Sequence, residues 1–299
     1  MNVALTGATG FIGRYIAKEF MKKGDTLRAL VRPTSDVGFL KAGGARLVHG
    51  DFGVDESMKS LIHGVDVVIH NGYWHDKNEL QEPVKWFELN VLSSLKLLEW
   101  CRQAGIPRFI FISTGAVYGR LLDPTKPRDE NCGAYPRGGY AAYNRAVEVY
   151  VDAYRNEFNM LGSTSIRLCG RNVGIHPKLE WCAYLDIIRA ALAGREIRVK
   201  GKDQFDCCTD IARNLRTLAS RPLEKVEEVY CFSDDPYPMK DIAETIVRSL
   251  KSKSKVIEEA CAEPFTPTSN ARLRAAGGKY AGLKGIACYA REMAKILKP

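Results

Sequence analysis

A glycine-rich turn between a predicted strand and a predicted helix constrains this chain more than any other feature. Residues 2–5 form a short apolar run, residues 6–13 are TGATGFIG, and an amphipathic pattern follows over residues 11–23. Glycine at positions 7, 10 and 13 lets the backbone turn tightly and approach a pyrophosphate without obstruction by a Cβ atom. The start of the helix then offers N–H groups and a partial positive charge. The pattern predicts a dinucleotide-binding turn.

Short apolar runs alternate with helical patterns through the first half of the chain, as is typical of a parallel sheet built from βαβ units. After residue 171 the alternation loosens into helices separated by short strands. Strands are predicted at residues 2–5, 26–31, 45–49, 66–69, 108–112, 163–168, 197–200 and 228–232. Helices are predicted at residues 11–23, 83–103, 141–158, 179–193, 209–220, 239–250 and 283–297.

The predicted fold class is therefore α/β, a Rossmann-type doubly wound parallel sheet with a smaller C-terminal α/β substrate lobe. We expect residues 1–170 to form the dinucleotide-binding Rossmann domain. Residues 171–299 are expected to form mainly the substrate-binding lobe, with the chain free to cross back to the sheet.

Composition argues against several other classes of protein. The 44 Lys and Arg residues exceed the 35 Asp and Glu residues by nine, but they form no sustained basic block, so no nucleic-acid partner is expected. No apolar run approaches the roughly 20 residues that span a bilayer, so no membrane partner is expected. Nine cysteines without a C-x-x-C pair indicate neither a disulfide framework nor a metal site. With no signal for secretion, the expected location is cytoplasmic.

The end of the second predicted strand carries the residues that select the cofactor. An NAD site usually places a carboxylate there, which accepts hydrogen bonds from the ribose hydroxyls. This chain has ALVRP over residues 29–33, so Arg32 stands where an adenosine 2′-phosphate would bind. A solvated arginine at a strand end is the alternative interpretation. The pattern favours NADP(H) as the cofactor and leaves NAD(H) open.

Six further motifs follow the glycine turn in a recognisable order. They are GDF at residues 50–52, HNG at 70–72, FELNV at 87–91, STGAVYG at 113–119, GYAAYNRAVE at 139–148 and RLCGRNVG at 167–174. Their order and spacing resemble the extended short-chain dehydrogenase/reductase superfamily, in its NAD(P)-dependent epimerase/dehydratase branch. The resemblance covers residues 1–215 closely and the remainder loosely.

The resemblance implies roles for residues at the matching positions. Asp51 and Phe52 correspond to the residues that hold the adenine, and Asn71 and Gly72 to residues that line the cofactor site. Asn90 corresponds to the asparagine that supports the active site. The full expected cofactor-binding set is Gly7, Thr9, Gly10, Phe11, Ile12, Gly13, Arg32, Asp51, Phe52, Asn71, Gly72, Asn90, Tyr140, Asn144, Leu168 and Cys169.

The resemblance places the chemistry on a tyrosine that is followed four residues later by a lysine. In such a pair the ammonium lowers the phenol pKa from about 10, so that the phenolate can act as a general base. Tyr140 occupies the tyrosine position, and Thr114 aligns with the hydroxyl residue that polarises the reacting oxygen. The lysine position is Asn144, and Arg145 lies about 100° further around the helix. The expected catalytic residues are therefore Thr114, Tyr140 and Asn144, with Asn144 positioning the ribose.

Because Asn144 carries no charge, three interpretations stay open. Tyr140 could donate a proton in a reduction, it could act as acid and base in an epimerisation or dehydration, or the protein could bind cofactor without catalysis. We expect an NAD(P)-dependent epimerase/dehydratase-type oxidoreductase that acts by hydride transfer on a sugar nucleotide or a small hydroxylated or carbonyl substrate. The alternatives are an NADPH-dependent carbonyl reductase of a non-sugar metabolite and a non-catalytic NADP-sensing protein.

The resemblance also implies a homodimer through the helices at 83–103 and 141–158.

The residues on the substrate side are less sharply defined. The stretch 201–212, which aligns with the segment that grips the diphosphate in nucleotide-sugar enzymes of the family, contains no arginine, whereas Asn172 matches a substrate-side asparagine. Residues 73–75 directly follow the fourth strand and either pack within their loop or form a stacking wall for the substrate. The candidate substrate residues are Tyr73, Trp74, His75, Asn172, His176 and Trp181.

Overall fold

The computed structural model describes residues 1–75, 81–119, 126–262 and 265–297 of the chain. These residues divide into two units. The first unit contains the described residues up to 119, Glu130–Leu168 and Ala212–Cys231. The second contains residues 126–129, Cys169–Ile211 and the described residues from Phe232 onwards. The chain therefore leaves the first unit next to residue 170 and returns to it for residues 212–231.

Thirteen strands lie in the described part of the chain. They are β1 (Asn2–Thr6), β2 (Thr26–Val31), β3 (Arg46–His49), β4 (Val67–His70), β5 (Phe109–Thr114), β6 (Thr164–Leu168), β7 (Arg171–Val173), β8 (Ile197–Lys200), β9 (Lys202–Asp203), β10 (Phe205–Cys207), β11 (Val229–Phe232), β12 (Tyr237–Pro238) and β13 (Val256–Glu259). Seven of them form one sheet in the order β11-β6-β5-β4-β1-β2-β3.

The seven-stranded sheet is parallel throughout. The pairs from β3 to β6 are parallel by register. In the remaining pair, Ser165 N–H donates to Glu228 O and Cys169 N–H donates to Phe232 O, so β6 and β11 also advance together. The strand order reverses between β1 and β4, and in doubly wound sheets ligands bind at the carboxyl ends of the strands at such a point. The sheet therefore locates the candidate site beside the glycine turn that follows β1.

Eleven α-helices are described. They are α1 (Phe11–Lys22), α2 (Gly38–Ala42), α3 (Asp55–Ile62), α4 (Pro83–Phe87), α5 (Ser93–Gln103), α6 (Gly139–Glu157), α7 (Leu185–Leu192), α8 (Cys208–Ala219), α9 (Met239–Ser249), α10 (Ala271–Ala275) and α11 (Leu283–Leu297). Short 3-10 turns lie at Gly115–Tyr118, Leu179–Trp181 and Leu223–Lys225. Helix α1 buries Ile16, Ala17 and Phe20 along one face, which is the amphipathic spacing of its sequence.

The single helix predicted over residues 83–103 contains a π-helical turn, Glu88–Leu92, between α4 and α5. The hydroxyls of Ser93 and Ser94 donate to the carbonyls of Glu88 and Asn90. The wider turn changes the usual backbone hydrogen-bonding pattern of the helix. The two serine hydroxyls supply hydrogen-bond donors to two of its carbonyls. Hydrophobic spacing could not show the turn, because one wide turn changes the apolar pattern little.

The second unit has its own core and three two-stranded sheets. Strands β7 and β10 are parallel, β8 and β13 are parallel, and β9 and β12 are antiparallel. Helices α7, α9 and α11 contribute most of the buried apolar side chains, including Ile188, Ile246 and Met293. The unit is therefore an α/β body with a packed interior.

The predicted fold class, a Rossmann-type doubly wound sheet with a smaller α/β lobe, is confirmed. None of the described helices combines the length and apolar character that crossing a bilayer requires. Across the described ranges, no group of three or more His, Cys, Asp or Glu side chains is placed to hold a metal ion. Within the described ranges the cysteines form no disulfide bonds.

Candidate active site

The glycine turn between β1 and α1 adopts a geometry that side chains would prevent. Gly7 has φ of +67°, and a Cβ there would lie 2.6 Å from the carbonyl oxygen of Asn71. At Gly13 a Cβ would lie 2.0 Å from the carbonyl oxygen of Gly7. Gly10 N–H donates to Gly7 O at 3.0 Å and closes the turn. The first and third glycines are thus required by close backbone approaches, as the sequence pattern predicts.

A cavity of about 480 Å³ lies along this turn in the first unit, within the size range of small-molecule sites. It is bounded by the glycine turn, by the ends of β2 and β3 and by the segment that follows β4. Its lining residues are Gly7, Thr9, Gly10, Phe11, Ile12, Leu30, Arg32, Ser35, Gly50, Asp51, Phe52, Asn71, Gly72, Tyr73, Trp74 and His75. Most of the predicted cofactor residues of this unit therefore line one cavity.

Arg32 and Ser35 are presented together by a tight turn after β2. Ser35 N–H donates to Arg32 O at 3.0 Å, and Pro33 occupies the second position of this four-residue turn, where its fixed φ is favourable. Thr9 Oγ1 donates to Ser35 Oγ at 3.4 Å, which leaves the Ser35 hydroxyl hydrogen available to another acceptor. The Arg32 guanidinium lies 5.2 Å from the ring centroid of Trp74. Positive charge and a hydroxyl donor therefore meet at one end of the cavity.

A buried chain of hydrogen bonds runs from the glycine turn to the π-helical turn. Thr6 Oγ1 accepts from Asn71 N–H and Gly72 N–H and lies 2.7 Å from His70 Nδ1. His70 Nε2 lies 2.8 Å from Ser94 Oγ, whose hydrogen goes to a backbone carbonyl. These partners assign the proton to Nε2, and burial lowers the pKa of His70 to about 3. His70 is therefore a neutral structural link between the two turns.

Asn90 fixes the backbone of the cavity wall. Its Oδ1 accepts from Trp74 N–H at 2.8 Å, and its Nδ2 donates to Trp74 O at 3.2 Å and to Trp86 O at 3.2 Å. Asn90 is buried in the π-helical turn, and its bond to Trp86 O is buried with it. Its position agrees with a supporting role, and its contact with the cavity is made through Trp74.

Tyr140 and Asn144 lie in the first two turns of α6. Tyr140 is 44% exposed, and its ring packs edge-on against Tyr73 with 5.0 Å between centroids. Asn144 is buried, and its Nδ2 donates to Tyr140 O at 2.8 Å. Because Tyr73 lines the cavity, the ring contact brings the predicted catalytic tyrosine beside the predicted cofactor site.

Thr114 and Leu168 are register partners at the carboxyl ends of β5 and β6. Thr114 Oγ1 accepts from Ala116 N–H at 3.2 Å, so the hydroxyl hydrogen of Thr114 can be donated elsewhere. A buried ion pair joins Glu148 of α6 to Arg167 of β6 at 2.9 Å. Glu148 therefore ties the helix that carries Tyr140 to the strand beside Thr114.

The remaining predicted residues, Cys169, Asn172, His176 and Trp181, belong to the second unit. The His176 and Trp181 rings lie 5.3 Å apart between centroids. Asn172 of β7 is the register partner of Asp206 of β10. Among the described residues, the Oδ1 atoms of these two side chains are buried without a hydrogen-bond partner.

Asp206 is fully buried, and its environment makes the charged form unfavourable. Burial, with smaller contributions from Asp234 and Asp210, raises the pKa of Asp206 to about 8. The neutral form of this carboxyl group is therefore favoured more than that of an exposed aspartate. A protonated Asp206 has an O–H donor to offer on the strand opposite the Asn172 oxygen.

Sequence reasoning missed Ser35 and His70. The spacing Arg-Pro-Thr-Ser over residues 32–35 is a tight-turn pattern with proline at its second position, and it could have placed Ser35 beside Arg32. His70 ends the apolar run DVVIH, and a histidine on a fully buried strand requires partners for both ring nitrogens. Neither signal identifies those partners without the fold.

Comparisons with known proteins identify the family of the chain. The family model described as "NAD dependent epimerase/dehydratase family" matches residues 3–229. A UDP-glucose 4-epimerase from Streptomyces lividans is 29% identical over 182 residues, which cover 57% of this chain and 53% of that protein. The chain spans less than half the length of several curated relatives that it matches.

Two solved structures share the fold at low sequence identity. The structure of a UDP-glucose 4-epimerase with UDP-glucose from Thermotoga maritima has a TM-score of 0.79 and 18% identity, covering 100% of both chains. That of a dTDP-glucose 4,6-dehydratase from Bacillus anthracis in complex with NAD has a TM-score of 0.77 and 18% identity, covering 99% of this chain and 97% of the other. The family match, the sheet and the glycine turn agree, and the chain belongs to the NAD-dependent epimerase/dehydratase family.

Proposed function

We propose that the protein is an NAD(P)-dependent enzyme of the epimerase/dehydratase type, acting by hydride transfer on a sugar nucleotide or a related hydroxylated or carbonyl compound. The observation that carries the proposal is the contact of Tyr140 with Tyr73, because Tyr73 also lines the cavity along the glycine turn. A candidate proton-transfer group therefore stands beside a candidate dinucleotide site. The relative named UDP-glucose 4-epimerase supports the choice of a sugar nucleotide.

The residues that line the cavity support the binding of a dinucleotide. Cβ atoms at Gly7 and Gly13 would force the backbone of the turn apart, so these glycines keep a cradle open for a pyrophosphate. The first amides of α1 have no acceptor within their own helix and suit an anion. Asp51 Oδ1 accepts from Phe52 N–H at 2.8 Å, which orients the carboxylate at the adenine end. These groups would hold the cofactor along the carboxyl ends of β1 to β3.

Bound nicotinamide would supply a site that accepts and returns a hydride. Tyr140 would exchange a proton with the substrate oxygen, and Thr114 would donate a hydrogen bond to the same oxygen. The Thr114 hydroxyl is suited to this role because it already accepts from Ala116 N–H. Asn144 uses one amide hydrogen on Tyr140 O, so its Oδ1 would accept from a ribose hydroxyl. The test of this function is turnover of UDP-glucose and dTDP-glucose by the purified protein, with Tyr140→Phe as the inactive reference.

For the cofactor we propose NADP(H), with NAD(H) as the alternative, and we expect Arg32→Ala to separate them. A charge-assisted hydrogen bond contributes about 1.5–3 kcal/mol, so the variant should lose about 10- to 100-fold in NADP⁺ affinity. Affinity for NAD⁺, which has no 2′-phosphate, should change less than about threefold. Calorimetric titration measures both constants.

The matched control for this experiment is Arg46→Ala. Arg46 is exposed on β3, pairs in register with Arg28 and does not line the cavity. Its replacement by alanine therefore removes the same charge as Arg32→Ala, but away from the cavity. Equal losses of NADP⁺ and NAD⁺ affinity in Arg32→Ala would contradict the NADP assignment.

We also propose a homodimer through the outer faces of α4 to α6. Apolar side chains on α4, on the π-helical turn and on α6 are exposed, and α6 also contacts α5. The exposed residues are Val84, Phe87, Leu92, Val149 and Tyr150. Helices α4 and α6 both contact the π-helical turn, so a second copy of the chain would cover these side chains together.

Val149→Glu should convert the dimer to a monomer. A twofold interface receives each substitution twice, so two carboxylates would be buried against apolar surface without partners. Light scattering after size-exclusion chromatography should give the mass of two chains for the wild type and one for the variant. The control is Val54→Glu, which makes the same change at another exposed valine. A wild type with the mass of one chain would overturn this proposal.

A further inference from the structure

Hydrogen bonds fix both the backbone and the side chain of Trp74, although it lies in a loop. Its backbone N–H and carbonyl both bond to the Asn90 side chain, at 2.8 and 3.2 Å. Its indole Nε1–H donates to Phe52 O at 3.2 Å. Backbone and ring are therefore fixed separately, the first by the π-helical turn and the second by the segment after β3.

The fixed indole faces a cation that lines the same cavity. The Arg32 guanidinium carbon lies 5.2 Å from the Trp74 ring centroid, within the range of a cation–π contact. Arg32 is otherwise exposed at the end of β2, on a long side chain that has many rotamers. Stacking on a rigid ring reduces that freedom before any ligand binds.

Stacking of this kind leaves the donors of the guanidinium usable. A guanidinium that meets an aromatic ring through its flat face keeps its N–H groups, which lie in its plane, directed outwards. An anion can therefore be bound at the edge while the face rests on the indole. Ser35, joined to Arg32 by the turn, offers a hydroxyl at the same end of the cavity.

We propose that Trp74 determines the preference for a 2′-phosphorylated cofactor by holding the Arg32 guanidinium in place for the phosphate. This inference rests on the proposed function and moves Trp74 from the substrate side, where the sequence suggested a stacking wall, to the cofactor side. Trp74 is a positioning residue that acts through Arg32. Tryptophan suits the position because its ring supplies both the N–H for Phe52 O and the strongest aromatic face for a cation.

The experiment compares 2′,5′-ADP with 5′-AMP, which isolate the adenosine end of the two cofactors. Calorimetric titration gives the ratio of their affinities in the wild type and in Trp74→Phe, Trp74→Leu and Arg32→Ala. We expect the wild type to prefer 2′,5′-ADP, and Trp74→Leu to reduce the ratio about three- to tenfold. Trp74→Phe keeps an aromatic face but loses the Nε1–H bond. Its affinity ratio should therefore lie between those of the wild type and Trp74→Leu.

The control is Trp100→Leu, because Trp100 is also half-buried and lies under a cation, with Lys59 5.5 Å from its centroid, but does not line the cavity. It should leave the affinity ratio unchanged. Thermal unfolding of each variant shows whether it is folded, and a ratio of two affinities is insensitive to a fraction of inactive protein.

Three outcomes would overturn the inference, and they differ in whether the NADP assignment or the proposed function fails with it. If the ratio survives in Trp74→Leu and disappears in Arg32→Ala, Trp74 does not position Arg32, and the proposed function stands. If the wild type binds both nucleotides equally, the NADP assignment fails with the inference. If neither nucleotide, NADP⁺ nor NAD⁺ binds, the proposed function fails as well.

Discussion

Replacing Tyr140 with phenylalanine should reduce turnover by about 10²–10⁴-fold, the usual contribution of a positioned acid or base. The change removes one oxygen and keeps the ring, so the edge-on contact with Tyr73 should remain. Dinucleotide affinity should therefore change little while kcat falls. Steady-state kinetics on the nucleotide sugar that is turned over, together with titration of the cofactor, measures the two effects separately. An unchanged rate would refute the role of Tyr140.

Tyr143→Phe is the matched control, since it removes a phenol hydroxyl one helical turn further along α6. That hydroxyl donates to Pro83 O at 3.0 Å, and its loss should affect packing more than turnover. A companion variant, Asn144→Lys, restores the cation that the family places near the tyrosine. An ammonium there should favour the phenolate and move the activity optimum to lower pH. No turnover by any of these proteins, with cofactor bound, would favour the non-catalytic alternative.

Gly13→Ala should weaken the binding of both dinucleotides by up to about 150-fold. Its new Cβ would lie 2.0 Å from Gly7 O, so the glycine turn must shift. Overpacking of this kind costs about 1–3 kcal/mol or more. If the whole cost is taken from the free energy of binding, affinity falls by about 5- to 150-fold. Titration with NADP⁺ and NAD⁺ should show both affinities falling together, unlike the selective loss expected for Arg32→Ala.

Gly38→Ala controls for the substitution itself. Gly38 begins α2, and a Cβ there meets Asp36 Oδ1 at 3.6 Å, an ordinary contact. This variant should bind both dinucleotides as the wild type does. If Gly13→Ala stays folded by circular dichroism and keeps its affinity, the glycine turn does not hold the pyrophosphate.

The parts of this fold that depend on residues close together in the sequence are predictable from the sequence alone. Strand β4 was predicted at residues 66–69 and is found at Val67–His70, because a buried central strand is apolar along its whole length. The glycine turn was predicted because the need for a missing Cβ is local to the turn. The order of the motifs then indicated the family, which the match over residues 3–229 confirms.

Contacts between distant segments were not predictable in the same way. The bond from Trp74 Nε1–H to Phe52 O joins loops after two different strands, and its formation depends on how those loops pack. His70 meets its partners across 64 and 24 residues of chain. Sequence therefore named most of the cavity-lining residues but could not say which of them hold one another in place.

The return of residues 212–231 to the first unit has a consequence for how the protein is made. Strand β11 is the outermost strand beside β6, yet it is translated only after the segment Cys169–Ile211 of the second unit. A nascent chain that has passed residue 168 can assemble the glycine turn and six strands, but β6 then presents unpaired N–H and C=O groups along an open edge. That edge is closed only when the ribosome has passed residue 232. Until then the growing chain is exposed to pairing with other chains.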